Sequence, residues 1–157
     1  MNSGAALQSR IARLRDTALF GGIRDDVLAF VLARADEVQV REGDWFFREG
    51  EPGDTVYLLE QGSAAIVKGA GDVERVLREL HAGDCFGEMS LIDFSPRSAS
   101  VRATTACRAI AVSAGCLHAL YAHDLEQFAI LEMNMGREVS RRLREVDARR
   151  VPKGAPH

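Results

Sequence analysis

The sequence contains few of the residues on which several classes of protein depend: three cysteines, four histidines and one tryptophan among 157 residues. The cysteines, Cys85, Cys107 and Cys116, are odd in number and form no CxxC motif, which argues against a disulfide framework. No apolar run approaches the ~18 residues of a membrane-spanning helix. The first sixteen residues also lack the apolar core of a signal peptide. We therefore expect a protein of the reducing cytoplasm without a membrane segment.

The few histidines also bear on metal binding and catalysis. A cupin-like metal barrel needs clustered histidines with carboxylate support, but only His118 and His123 lie near one another, and their spacing of five places them off one helical face. No Ser–His–Asp pattern is present, and no histidine neighbours Cys85, which we expect to be a buried structural thiol. We therefore expect no metal site, no cofactor and no enzymatic activity.

The composition is that of one soluble globular domain, with 46% hydrophobic and 27% charged residues. The net charge of −3 argues against a general polyanion binder. However, residues 137–150 carry six arginines against three acids, so this segment is basic. It is either a solvated helical face or a face for a partner or nucleic acid. Eighteen of the twenty basic residues are arginine, a bias that we take as a sign of a bacterial protein of high GC content.

The chain divides into three zones within one domain, 1–150, followed by a tail, 151–157, that we expect to be flexible. Apolar residues at steps of three and four predict helices over 6–36 and again over 114–150. Between them, over 38–113, short apolar runs separated by glycines predict the strands of a β sandwich or barrel. The register of the run ERVLREL stays open, because apolar residues occupy both of its faces.

The C-terminal helix carries a long apolar stripe that must pack on something. It could pack on its own domain or on its twin in a second chain, so a homodimer through residues 128–146 is one prediction. Gly136 interrupts this helix at a cost of roughly 1 kcal/mol relative to Ala. The stripe consists of Phe128, Leu131, Met135, Val139, Leu143 and Val146.

The segment FGEMSLIDFSPRSAS, residues 86–100, places an acid, Glu88, and a base, Arg97, among small and apolar residues. The two could form an exposed ion pair, which would contribute only about 0–1 kcal/mol. Alternatively, the arginine fork could hold two phosphate oxygens while the carboxylate accepts from a sugar hydroxyl. Pro96 fixes the backbone just before Arg97, and small residues follow, so a ligand could approach the backbone here. Both interpretations remain open on residue types alone.

The longer segment FGEMSLIDFSPRSASVRA, residues 86–103, resembles the phosphate-binding cassette of cyclic nucleotide-binding domains. Upstream, REGEPGDTVYLLEQGSAAI, residues 48–66, resembles the strand–turn–strand signature of the same family, and the resemblance extends over about 14–147. It implies a mainly β fold: an antiparallel β-roll, or jelly-roll-like double-stranded β-helix. N-terminal helices, a cassette helix and a C-terminal hinge helix would flank the roll.

The resemblance also implies a binding site. Glu88 would accept a hydrogen bond from the ribose 2′-hydroxyl, and Arg97 would pair with the cyclic phosphate. Because residue 98 is Ser98 rather than the threonine that tends to accompany cyclic GMP, cyclic AMP is the expected ligand and cyclic GMP the less favoured one. The remaining implied ligand contacts are Phe86, Gly87, Met89, Ser90, Ala99 and Val101.

The C-terminal helix would cap the base, with Val146, Asp147 and Arg150 as the candidate residues. In the implied mechanism the phosphate draws the cassette around Arg97. The helix then closes over the base, and a protein effector of unknown identity reads its new position. The chain would be a non-catalytic sensor.

A DNA-binding regulator is the main alternative, because relatives in this family carry a helix-turn-helix domain after the hinge helix. The sequence ends at His157, which leaves no room for a second domain with its own recognition helix. DNA binding by this chain is therefore not expected. The sequence could instead be a fragment or a diverged form of a Crp/Fnr-type transcription regulator or of a cyclic-nucleotide-gated effector.

Overall fold

The structure is a computed structural model that describes residues 3–150, without the side chains at 149 and 150. The predicted tail, 151–157, and the side chain of Arg150 lie outside the described residues. Two helices come first, α1 (Ser3–Arg15) and α2 (Asp25–Arg34). The turn between them includes Gly22, whose φ of 80° is a left-handed conformation that favours glycine.

The strands form two four-stranded sheets in which every pair is antiparallel. The first sheet has the order β1-β8-β3-β6 and the second β2-β7-β4-β5. This is the β-roll with flanking helices that the sequence resemblance implied. The strands are β1 (Asp36–Val40), β2 (Trp45–Phe47), β3 (Thr55–Gln61), β4 (Ala64–Lys68), β5 (Arg75–Leu80), β6 (Cys85–Phe86), β7 (Ser100–Ala103) and β8 (Cys107–Ser113).

The register of β5 explains why its sequence pattern is ambiguous. The strand lies at the edge of the second sheet and pairs only with β4, from Ala64↔Leu80 to Lys68↔Arg75, with a bulge on the way. Of its residues, Leu80 alone is buried, and Val76 is 55% exposed. An edge strand has little apolar contact to impose alternation, so periodicity could not fix its register.

The interior contains two apolar clusters that meet at the roll. One lies between the flanking helices and the first sheet and includes Leu28, Ile110 and Leu120. The other fills the roll itself and includes Leu59 and Phe86. Each cluster draws on segments far apart in sequence, so the helices and the roll form one packed body.

Three further α-helices follow, α3 (Glu88–Asp93), α4 (Ala114–His123) and α5 (Leu125–Arg150), and a short 3₁₀ helix, Gly71–Val73, lies between β4 and β5. Along α5 the predicted stripe divides in two. Leu131 and Met135 are buried against the same chain, whereas Leu143 is 60% and Val146 40% exposed. Its first half therefore packs on its own domain. None of the helices in the described residues is long and apolar enough to cross a membrane.

Two glycines with similar positive φ angles test how tightly the roll is packed. Gly62 and Gly43 have φ values of 90° and 87°; an added Cβ would lie 2.3 Å from the Ala106 carbonyl oxygen at Gly62 but would meet nothing within 4 Å at Gly43. Gly43→Ala should lower the free energy of unfolding by ~1–2 kcal/mol from left-handed strain alone. Gly62→Ala should lower the free energy of unfolding by a further ~1–3 kcal/mol, because the backbone at Ala106 must also move. Urea denaturation measures both, and equal losses would contradict the packing difference.

Candidate functional site

A cleft of about 840 Å³ lies between α3, the loop that follows it, the β4–β5 edge of the second sheet and α5. All nine residues that the sequence places around the cassette line this cleft, and so does Val146. Asp147 is exposed and is not among the lining residues. The full lining is Phe47, Ile66, Lys68, Arg75, Leu77, Arg78, Phe86, Gly87, Glu88, Met89, Ser90, Arg97, Ser98, Ala99, Val101, Arg142, Glu145 and Val146.

Gly87 sets the start of the cassette helix. Its φ of 86° is left-handed, and α3 begins at the next residue, so Glu88 occupies the first helical position. A Cβ at Gly87 would lie 2.7 Å from Nη1 of Arg97 and 3.0 Å from the Thr55 carbonyl oxygen. Glycine is thus required here both for backbone conformation and for the close approach of the arginine.

Arg97 is buried without a carboxylate partner. It is 5% exposed, and its Nη1 donates to the Gly87 carbonyl at 2.9 Å and its Nη2 to the Thr55 carbonyl at 3.0 Å. The guanidinium carbon lies 4.0 Å from the ring centroid of Phe47, within cation–π range. Burial lowers the pKa of this guanidinium from its ordinary value. Among the described residues, no carboxylate forms an ion pair with it, so an anion would compensate a buried positive charge.

Glu88 is still more buried, at 1% exposure, and its partner is not Arg97. Its Oε1 lies 2.5 Å from Nη1 of Arg142 on α5, and its Oε2 is buried with no hydrogen-bond partner among the described residues. Arg142 also donates to the Cys85 carbonyl. The acid and base of the cassette therefore do not form the ion pair that was one interpretation of the sequence. Each instead contacts other parts of the chain, and Oε2 of Glu88 and Nε of Arg97 are left without a hydrogen-bond partner among the described residues.

Arg142 is the main residue that the sequence analysis missed. It lies one helical turn before Val146, and residues four apart share a helical face. That spacing could have identified it, since Val146 was already a candidate for contact with the base. Glu145, on the same face, accepts from Arg78 of β5 at 3.2 Å. Among the described side chains, α5 thus presents Arg142, Glu145 and Val146 to the cleft.

The lining of the cleft also includes apolar and basic side chains outside the cassette. Ile66, Leu77 and Met89 provide apolar surface, and Met89 is 49% exposed. Among the basic side chains, Nζ of Lys68 lies 2.5 Å from the Ser98 carbonyl oxygen and 3.1 Å from Glu49. A flat aromatic group could therefore lie on the apolar side chains of the cleft, with polar groups at its edge.

Cys85 lies next to the cleft residue Phe86, but its thiol is not in a reactive environment. It is 1% exposed, and burial raises the pKa of its thiol to about 12. A neutral, buried thiol is a poor nucleophile and a poor metal ligand. Across residues 3–150, no group of three or more His, Cys, Asp or Glu side chains is arranged to hold a metal ion.

Comparison with known proteins identifies the class of domain. Residues 37–124 match the family model described as "Cyclic nucleotide-binding domain". This match covers more than half of the chain and includes both the roll and the cassette. The chain therefore belongs to the cyclic nucleotide-binding domain family.

Three relatives illustrate the range of the family. A cAMP-dependent protein kinase regulatory subunit of Emericella nidulans is 38% identical over 95 residues, 60% of this chain and 22% of that protein. A CRP-like cAMP-activated global transcriptional regulator of Mycobacterium tuberculosis is 30% identical over 135 residues, 85% of this chain and 58% of that protein. The crystal structure of the Thermus thermophilus catabolite activator protein superposes with a TM-score of 0.73 at 30% identity, covering 85% of this chain and 61% of that one. The chain thus spans less than two thirds of each of these relatives.

The contact between Gly53 and Arg97 provides a test of the site's geometry. An added Cβ at Gly53 would lie 2.1 Å from Nε of Arg97, so the guanidinium would have to move. Gly53→Ala should therefore cost ~1–3 kcal/mol of folding free energy in the native background. The same substitution should cost much less in an Arg97→Ala background, since the clash is gone. Chemical denaturation of the four proteins gives the coupling, and additive losses would contradict the contact.

Proposed function

We propose that this chain is a non-catalytic sensor whose ligand is a cyclic nucleotide, cyclic AMP in the first place, and that it signals through α5. The observation that carries the proposal is the buried arginine without a carboxylate partner, Arg97, beside a buried carboxylate, Glu88, at one end of a deep cleft. A cyclic nucleotide has a matching pair of groups: a phosphodiester anion and a ribose hydroxyl a few ångströms away.

The phosphate would lie against Arg97 and the small residues that follow it. Ala99 is buried and Ser98 is exposed at the cleft, so their backbone can be approached closely. The Ser98 hydroxyl could add a further hydrogen bond. The Phe47 ring and two carbonyls hold the guanidinium in place, so little side-chain entropy remains to be lost when an anion arrives.

The preference for cyclic AMP rests on the identity of Ser98 and on the relatives. Ser98 lacks the methyl group of threonine, which in this family tends to accompany cyclic GMP. The names of the E. nidulans and M. tuberculosis relatives both specify cAMP. Val146 stays a predicted contact for the base. Asp147, which lies outside the cleft, is a weaker candidate than Glu145.

The output of the sensor would be a change in α5. This helix touches the cleft through Arg142, Glu145 and Val146 and also continues the body of the domain through Leu131 and Met135. A ligand that alters the first set of contacts would change the position of the helix relative to the second. The ligand can shift the equilibrium between the two helix positions only by as much free energy as the difference between its affinities for them. The effector, the cytoplasmic location and any link to DNA or to a kinase stay predictions.

A second copy of the chain is the partner that α5 favours. A row of exposed residues follows steps of four, three, four and three, the heptad spacing of a coiled-coil seam. A Cβ at Gly136, in the middle of this row, would meet nothing within 4 Å among the described residues. No contact within the described part of the domain therefore requires glycine here, but the missing side chain would let a second helix approach closely. The exposed seam consists of Ala129, Met133, Gly136, Ser140 and Leu143.

Isothermal titration calorimetry tests the ligand. The wild type should bind cyclic AMP more tightly than cyclic GMP, and Arg97→Ala should weaken binding of cyclic AMP by roughly 2–4 kcal/mol, because a desolvated charge contact loses one partner. Glu88→Ala should also weaken it. Arg41→Ala, an exposed arginine away from the cleft, is the matched control and should bind as the wild type does. Absence of heat with both nucleotides would overturn the proposed function.

Sedimentation equilibrium tests the dimer. The wild type should show a mass near twice the 17.2 kDa of the monomer. Leu143→Glu should shift the equilibrium toward monomer by at least about tenfold, because it introduces two facing charges into an apolar seam. Ala148→Glu adds the same charge at an exposed position off the seam and should leave the mass unchanged. A wild type that stays monomeric at high concentration would rule the seam out as an interface.

A further inference from the structure

The loop between α3 and β7 is held in place by the loop that follows β2. The N–H of Gly50 donates to the Arg97 carbonyl at 2.8 Å, and the N–H of Arg97 donates to the Glu51 carbonyl at 2.8 Å. The Ser100 hydroxyl accepts from the N–H of Glu49 at 2.7 Å. Residues 97 and 100 are thus tied to this neighbouring loop, whereas the described backbone hydrogen bonds include none from or to the two residues between them.

Lys68, the last residue of β4, supplies a tie to this stretch. Its Nζ lies 2.5 Å from the Ser98 carbonyl oxygen and 3.1 Å from the Glu49 carboxylate, which also accepts from the N–H of Gly69 at 3.0 Å. The carboxylate thus holds the ammonium group in place and compensates its charge at close range. Arg97 differs, because its described partners are two carbonyls and an aromatic ring. An anion therefore gains less from Lys68 than from Arg97.

The contact with the Ser98 carbonyl also fixes the direction of a backbone donor. A peptide group is planar and trans, so its C=O and its N–H point in opposite directions. The N–H of the peptide group that Lys68 holds belongs to Ala99, and it is therefore turned away from Lys68. Ala99 lines the cleft and is 9% exposed, and its N–H has no hydrogen-bond partner among the described residues. Because the N–H of a buried residue seldom lacks a partner, this donor is free to receive a ligand oxygen.

We propose that Lys68 is a positioning residue for the ligand: by holding the Ser98 carbonyl, it aims the Ala99 N–H at one oxygen of the cyclic phosphate. Lys68 acts through this peptide group and is not itself the partner of the anion. Glu49 supports it by fixing the ammonium group. The proposal rests on the proposed function. It gives a role to two residues outside the cassette, of which Lys68 lies 30 residues before the carbonyl that it holds.

Calorimetry with modified phosphates tests this role. Lys68→Met keeps the length of the side chain but removes the donor, and it should bind cyclic AMP roughly tenfold more weakly than the wild type, because a hydrogen bond to a charged group is misdirected. In each of the two phosphorothioate diastereomers of cyclic AMP, sulfur, a weak acceptor, replaces one exocyclic oxygen. With one diastereomer the wild type and Lys68→Met should differ by less than about threefold, whereas with the other and with 2′-deoxy-cyclic AMP the difference should stay near tenfold.

Two control variants separate position from charge. Arg41→Met makes a similar change at a side chain that is 93% exposed and away from the cleft, and it should bind as the wild type does. Adding Glu49→Gln to Lys68→Met removes a negative charge together with the positive one, so the net charge is that of the wild type, and the tenfold loss should persist. Recovery of wild-type affinity in this double variant would make the role of Lys68 one of charge and would overturn the proposal.

The remaining patterns of affinity are also decisive. Equal losses by Lys68→Met with all of these ligands would show a general structural effect, and an unchanged affinity for cyclic AMP would show that the contact with Ser98 does not matter for binding. Either result overturns the role of Lys68 while leaving the proposed function intact. If the wild type binds no cyclic nucleotide, the proposed function itself fails, and this inference fails with it.

Nuclear magnetic resonance on the wild type gives an answer even if Lys68→Met does not fold. Saturating cyclic AMP should move the amide proton of Ala99 downfield, because its N–H then donates to an anionic oxygen. A coupling across the hydrogen bond between Nζ of Lys68 and the Ser98 carbonyl carbon should be present both with and without the nucleotide. Loss of that coupling on binding, or an amide proton of Ala99 that does not move, would contradict the proposal.

Discussion

The site depends on one constraint: a guanidinium is kept inside the protein without a carboxylate to pair with. Arg97 is held by the carbonyls of Gly87 and Thr55 and by the face of Phe47. Carbonyl oxygens and an aromatic ring satisfy donors and offer partial negative charge, but they do not neutralise the cation. Both neighbouring glycines follow from this, because a Cβ at Gly53 or at Gly87 would collide with the arginine. The position of the guanidinium thus restricts residues 53 and 87 to glycine. Its positive charge remains available to an anion.

Glu88, the other charged side chain proposed to bind the ligand, differs from Arg97 because it has a charged partner. Glu88 is also buried, but its charge is compensated by Arg142 from a distant helix. A carboxylate buried beside Arg97 and left uncompensated would be drawn to it, and the two would neutralise each other. By pairing Glu88 with Arg142, the fold keeps the cassette's acid and base apart. The same pairing connects the cassette to α5, so in the proposed function the carboxylate expected to receive the ribose also contacts the helix.

The sequence predicted what is local and could not predict what is distant. The cassette was predictable because its glycine, acid, proline and arginine lie within about a dozen residues, and the alternation of short apolar runs and glycines predicted the strands around it. The register of β5 could not be predicted, since an edge strand with one buried residue has no periodic pattern of apolar residues. The role of Arg142 could not be predicted either, because its contact with Glu88 spans 54 residues and depends on the direction in which α5 leaves the roll. The family and the fold predicted from the sequence are confirmed, whereas the ligand and the individual site roles stay predictions.

The division of α5 would allow one helix to belong to the domain and, in the proposed function, to respond to the cleft. Its first half is fixed by apolar burial of Leu131 and Met135, which depends little on what occupies the site. Its second half is held by ion pairs of Arg142 and Glu145, which are the kind of contact that a charged ligand can exchange. The pair of Arg142 and Glu88 is largely buried, at 19% and 1% exposure, so removing one partner without replacing it would be costly. In the proposed sensor, the change from apolar to ionic contacts along this one helix would set where a movement begins.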